Sequence, residues 1–185
     1  MNVKQVIVLR TRYPDGNGGT RKVRAGKLIA QACHASMKVF FDLGHVNMMA
    51  GPDSEDEPED VLIVSLTESM REWVEGIFTK VVVGVETEEG LLQVYQQAQD
   101  AGIPCALITD VGNTEFKAEC SACMGLGILY EHLDKNDELI DPPKRVECPI
   151  CKGIGKVNVP THTAVAIGPA EAEDIDKITG HLSLL

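Results

Sequence analysis

Aromatic residues are scarce in this chain: one Trp, three Tyr and four Phe make up 4% of its 185 residues. Its core must therefore be packed by aliphatic side chains, and 44% hydrophobic residues supply enough for one ordinary domain plus a small module. No long apolar run is present. The opening run Val6-Ile7-Val8-Leu9 meets Arg10 after four residues, too short for a signal peptide or a membrane span, so a cytoplasmic protein with no membrane partner is expected. There is no Gly-x-Ser-x-Gly stretch, which removes the serine nucleophile elbow. Basic charge is also in short supply, 17 Lys and Arg against 28 Asp and Glu, a net charge of −11 that argues at first against a polyanionic partner.

The charge is unevenly spread. Residues 1–38 carry eight basic side chains and one acid, Asp15, whereas residues 42–75 carry ten acids and Arg71 alone. Such polarity can steer a polyanion to one face against the net sign.

Six cysteines are present, and four of them form two copies of Cys-x-x-Cys-x-Gly-x-Gly, at Cys120 to Gly127 and Cys148 to Gly155. Four thiolates from Cys120, Cys123, Cys148 and Cys151 suit one tetrahedral zinc ion, and with all four positions taken by sulfur the zinc would be structural, leaving no metal for catalysis. A reactive dithiol pair is the alternative. The repeat resembles half of a DnaJ-type cysteine-rich domain. Residues 118–158 thus read as an inserted zinc module, and 1–117 with 159–185 as the discontinuous domain that hosts it. Cys33 and Cys105 sit in apolar surroundings and read as core.

In the host, Val3 to Arg10 reads as a buried strand, followed by a flexible Pro14 to Gly19 loop ending in Arg21-Lys22-Val23-Arg24. A helix from near Gly26 places Lys27, Gln31, His34 and Lys38 on one outward stripe, with Ile29, Ala32, Cys33, Ser36, Phe40 and Leu43 on the packed side. Residues 51–60 form an acidic loop, 61–66 are extended or ambiguous, and Thr67 or Ser69 caps a helix to about Ile77. A strand at 80–86, a helix from Thr87 with Leu91, Leu92, Val94, Tyr95 and Ala98 inward, strands at 105–109 and 161–167, and a last helix from Pro169 complete the pattern. Strands alternating with helices imply an α/β layered sheet.

Three residues invite chemistry. Lys27 lies in a first helical turn, where a cation opposes the macrodipole; it is either a solvated surface lysine or the partner of an anion. His34, seven residues on, shares that face and is otherwise a structural histidine. Asp110 ends a strand, where α/β sheets place ligands, although Asp before Gly is also an ordinary turn.

Residues 26–36 (Gly-Lys-Leu-Ile-Ala-Gln-Ala-Cys-His-Ala-Ser), 73–76, 101–114, 161–169 and 175–182 resemble the peptidyl-tRNA hydrolases of the archaeal and eukaryotic type, which some bacteria and phages also carry. The resemblance implies a mixed four-stranded sheet with helices on both faces, in three layers, usually as a homodimer. It implies hydrolysis of the ester joining a peptide to the 3′ end of tRNA, with Lys27, His34, Asp110, Thr114 and Thr161 as the site. The basic row and loop, Arg21, Lys22, Arg24, Gln31 and Lys38, would then grip tRNA phosphates. A contrasting class is a binding module that keeps the RNA grip without catalysis while the zinc insertion recruits a partner.

Overall fold

The computed structural model describes residues 2–49, 59–133 and 136–185. They form two compact units, Met1–Thr109 with His162–Leu185, and Asp110–Thr161. In chain order the elements are β1 (Val3–Arg10), β2 (Tyr13–Pro14), β3 (Thr20–Arg21), α1 (Ala25–Leu43), β4 (Gly44–Met49) and β5 (Glu59–Val64). Next come α2 (Glu68–Glu75), β6 (Lys80–Val85), α3 (Glu88–Asp100), β7 (Cys105–Asp110), β8 (Lys117–Glu119) and β9 (Ile128–Leu133). The chain ends with β10 (Leu139–Glu147), β11 (Lys156–Asn158), β12 (Thr161–Glu171), α4 (Ala172–Thr179) and β13 (Ser183–Leu184).

The first unit is an α/β fold around a five-stranded sheet of order β13-β6-β1-β12-β7. The sheet is mixed: β1 runs parallel to β6 and antiparallel to β12. Alternation along β1 sends Val6 and Val8 to one face, where they pack with Leu91, Val94 and Ala98 of α3 and Ile175 and Ile178 of α4. Ile7 and Leu9 go to the other, with Ala35 and Val39 of α1 and Met70 of α2. The only Trp of the chain, Trp73, is buried under Phe40 and donates its indole N–H to Thr79 O at 2.7 Å.

Several expectations are corrected. The sheet has five strands, not four, because Ser183 and Leu184 pair with Gly84 and Val83 at its edge; two residues are too few to show a period. Within 61–66, the extended alternative holds for Val61–Val64, where the strand β5 starts earlier, at Glu59, and is zipped to β4; the segment after α1 that carries no assignment is its partner. Of the acidic loop, residues 51–58 lie outside the described residues, and Glu59 and Asp60 belong to β5. Pro169 does not start a helix. It sits in β12 where the register with β1 slips between Lys4 and Val6, a bulge that spares a proline the missing ladder bond, and α4 begins only at Ala172 with Glu173 and Asp174 in its first turn. Helix α2 stops at Gly76 and is capped by Thr67, whose hydroxyl accepts from Met70 N. In α3, Leu91, Val94 and Ala98 are buried and Tyr95 packs beside them, but Leu92 faces outward.

The largest correction concerns α1. Its buried residues are Gln31, Ala35, Ser36 and Val39, while Ile29 and Leu43 are exposed. Two buried amide–hydroxyl pairs hold it to the sheet and draw Gln31 inward. Thr163 Oγ1 donates to Gln31 Oε1 at 2.6 Å, and Ser36 Oγ donates to Gln5 Oε1 at 2.6 Å while Gln5 Nε2 reaches Ser36 O and Gly168 O. A buried hydroxyl or amide must find a partner, and here the sequence matched polar groups to one another across the interface instead of keeping them out of it. Cys33, expected in the core, is exposed on this helix; Cys105 is half-buried, and burial pushes its thiol pKa up.

The second unit is built on two antiparallel pairs, β8 with β11 and β9 with β10. Cys120, Cys123, Cys148 and Cys151 are its buried centre, flanked by Leu129 and Val157.

Candidate active site

Lys27 is half-buried in the first turn of α1, with its N–H donating to Arg24 O. That turn contains no acidic side chain, and Arg24 at the N-cap makes no side-chain capping bond. The positive end of the helix dipole therefore meets a lysine, an arrangement that suits an incoming anion. His34 is exposed two turns further along. Arg24 and Lys22 are exposed and Arg21 is half-buried in β3; Lys38 is ion-paired with Asp42 at 2.6 Å. Gln31, expected beside these cations, is instead the buried acceptor for Thr163 described above.

Asp110 is the last residue of β7, and its Oδ1 accepts from Gly112 N at 2.8 Å, so the loop turns back on the carboxylate that starts it. Gly112 has φ 80°, and a Cβ there would meet Val159 N at 2.7 Å and Val159 O at 2.9 Å, contacts that only glycine permits. Phe116 O accepts from Val159 N at 2.8 Å, Asn158 Nδ2 donates to Asn113 Oδ1 at 2.8 Å, and Thr161 Oγ1 donates to Val159 O at 2.9 Å. The segment that carries Asp110 and Thr114 is thus zipped to the one that carries Thr161, although 46 residues separate Thr114 from Thr161 in sequence. The zipper continues as the β8–β11 pair, Lys117 opposite Asn158 and Glu119 opposite Lys156, so the cysteine-bearing stretch enters and leaves at neighbouring points.

The cysteine centre repeats its own geometry. Cys120 N donates to Gly155 O and Cys148 N donates to Gly127 O, each at 2.9 Å, so each knuckle's first cysteine bonds the last glycine of the other. Gly127 N and Gly155 N each approach a sulfur, Cys123 Sγ and Cys151 Sγ, at 3.2 Å. The four Sγ atoms lie within 4.8 Å of one another, with Cys120–Cys148 at 3.9 Å and Cys123–Cys151 at 3.7 Å, a cluster able to hold a metal ion. The Cys151 N–H lowers the Cys148 pKa to about 7, whereas burial raises that of Cys151 to about 11.

Missed by sequence reasoning is a polar chain at the strand ends of the first unit. Gly168 N donates to Pro104 O and Thr163 Oγ1 lies 3.4 Å from Ile108 O, so β7 and β12 run in opposite directions and β1, β6 and β7 all end at one edge. There Arg10 bonds Glu88, and His162 lies between Glu88 and Thr109. The only sequence signal was Arg10 closing a buried strand.

The fold and these residues define an α/β protein with polar groups gathered at the strand ends of its first unit and a four-cysteine centre in its second. The sequence matches the family model described as Peptidyl-tRNA hydrolase PTH2 over residues 3–135 and 146–185. It is 29% identical over 183 residues to a peptidyl-tRNA hydrolase of Methanocaldococcus jannaschii, covering 99% of this chain and 100% of that one. Similar proteins of the same description are found in Methanothermobacter thermautotrophicus, 30% identical over 75% of this chain and 92% of that one, and in Halobacterium salinarum, 29% identical over 98% and 99%. The chain belongs to the PTH2 family of peptidyl-tRNA hydrolases. Its activity is hydrolysis of peptidyl-tRNA. Among the described residues, no helix is long and apolar enough to cross a membrane.

Proposed function

We propose that the ester between the peptide, or an N-blocked amino acid, and the 3′ end of tRNA is cleaved by direct attack of water. Asp110, with His34, takes a proton as the water oxygen bonds the carbonyl carbon. Lys27 offsets the negative charge of the tetrahedral oxygen or of the terminal phosphate. The bond to the ribose oxygen then breaks, that oxygen takes a proton, and free tRNA leaves. Thr114 and Thr161 hydrogen-bond the ribose or the carbonyl. The observation that carries this reading is the zipper from Gly112 and Asn113 to Asn158 and Val159, which brings the Asp110–Thr114 loop and Thr161 together despite the interruption. Single-turnover release of the acyl group from an N-blocked aminoacyl-tRNA tests it: Lys27→Ala and Asp110→Ala should each lose about 100-fold or more in kcat. Unchanged turnover in both would overturn the assignment.

Arg21, Lys22, Arg24 and Lys38 are the proposed phosphate contacts, and Gln31 supports them by fixing α1. Residues 118–158 are proposed as a DnaJ-like zinc module within a hydrolase domain formed by 1–117 and 159–185. The sulfur spacings fit one zinc ion, because a tetrahedral shell with bonds of about 2.3 Å sets its sulfurs about 3.8 Å apart. Bound there, the ion would be structural, held by Cys120, Cys123, Cys148 and Cys151. For the module itself partner docking is favoured over gripping phosphate: residues 117–158 hold six basic and seven acidic side chains, and Met124, Leu126, Ile150 and Ile154 are exposed at the knuckles. We further propose a cytoplasmic homodimer. Exposed Ile29, Met37 and Phe41 on α1 support association, and light scattering that gives only the monomer mass would refute it.

A further inference from the structure

Four side chains from four elements of the first unit meet at the sheet edge where β1, β6 and β7 end, and the reaction above uses none of them. Arg10 is buried at the end of β1. Its Nε donates to Arg12 O at 2.9 Å, its Nη1 donates to Glu88 Oε2 at 2.9 Å, and its guanidinium lies 4.9 Å from the centre of the Tyr13 ring. A planar cation fixed on three sides leaves its carboxylate partner little freedom. Glu88, in the first turn of α3, also benefits from the positive end of that helix. Its other oxygen, Oε1, lies 4.0 Å from His162 Nε2, and the opposite ring nitrogen, Nδ1, lies 3.0 Å from Thr109 Oγ1. In the tautomer with the proton on Nε2, that nitrogen faces the carboxylate and Nδ1 accepts from the Thr109 hydroxyl.

Thr109 directly precedes Asp110, and His162 directly follows Thr161. We infer that His162 is a positioning residue for ester hydrolysis: its bond to Thr109 clamps the two strand ends that carry Asp110 and Thr161, and the Arg10–Glu88 pair holds the imidazole ring in place. The inference rests on the assignment of Asp110 and Thr161 to the site. Displacing a catalytic group by about 1 Å can cost about 100-fold in rate, so a clamp one residue away from each group has leverage that its own modest bond energy does not suggest. The loss should fall on kcat, because tRNA is gripped elsewhere.

The test is steady-state hydrolysis of N-blocked aminoacyl-tRNA by the full-length protein and its variants. His162→Phe keeps the ring volume and deletes the bond; about a 10-fold or greater fall in kcat at nearly constant KM is expected, with the melting temperature little changed. His162→Asn, whose Oδ1 can accept from Thr109, should recover most of the loss. Thr109→Val should match His162→Phe, and combining the two should cost no more than either alone. Wild-type kcat in His162→Phe, or a loss that His162→Asn does not recover, overturns the clamp. If Asp110→Ala in the same assay keeps full activity, the site assignment has failed instead, so the two failures are distinguishable.

Discussion

Replacing Thr163 by Val removes one buried oxygen and nothing else of consequence, since the two side chains have nearly the same shape. Thr163 has no exposed surface, and its hydroxyl donates to Gln31 Oε1 at 2.6 Å from the middle of the sheet into α1. The substitution forfeits that bond and removes this donor from a buried amide oxygen, together about 2 kcal/mol where no cavity is created. For a chain of this size the loss lowers the melting temperature by about 4–8 °C, read by calorimetry as the transition of the first unit. Changing both partners together, Gln31→Leu with Thr163→Val, should recover much of the stability, because the buried amide oxygen is removed along with its donor. Activity should not recover in step, since Gln31 lies one turn after Lys27 and fixes the helix that presents it. A Thr163→Val protein melting within about 1 °C of wild type would refute the claim that this pair anchors α1.

Metal content should be one zinc per chain by native mass spectrometry, falling to none in Cys151→Ser, and chelation should unfold the second unit while the first keeps its cooperative melt. Because the ligands must be thiolates, the metal should be held less tightly as pH falls, and competition with a chromophoric chelator across pH 5 to 8 measures this. In Gly155→Ala the added methyl falls on the Gly125 carbonyl, so metal affinity should drop; Gly26→Ala, with open space around it at the start of α1, should be neutral or stabilising by about 0.5 kcal/mol in a thermal melt. The rate constant kcat/KM should fall steeply with salt, and neutralising Lys22 or Arg24 should reduce the slope of log kcat/KM against log salt by about 0.7–0.9 each.

What the sequence made legible follows a simple division. Strands with a continuous Val and Ile run, such as β1 and β6, and helices with a Thr cap, such as α2 and α3, declare themselves locally. So does the cysteine repeat, because metal chemistry fixes both residue type and spacing. Gln31 was misread because a polar residue at helical spacing from Lys27 and Lys38 looks solvated until its partner, Thr163, is known, and that partner lies 132 residues away. The clamp at His162 was invisible for the same reason: its three partners come from three other elements. Pro169 misled by a local rule that is sound for helix starts and equally sound for bulges. Strand β13 offered too few residues for any pattern.

The central claim is that Asp110 and Lys27 perform the chemistry. The measurement that reaches it most directly is single-turnover release of the acyl group from an N-blocked aminoacyl-tRNA by wild-type protein and Asp110→Asn, with tRNA affinity measured alongside. The account predicts unchanged affinity and a rate reduced by about 100-fold or more in the variant. A variant that binds and cleaves like wild type would contradict it.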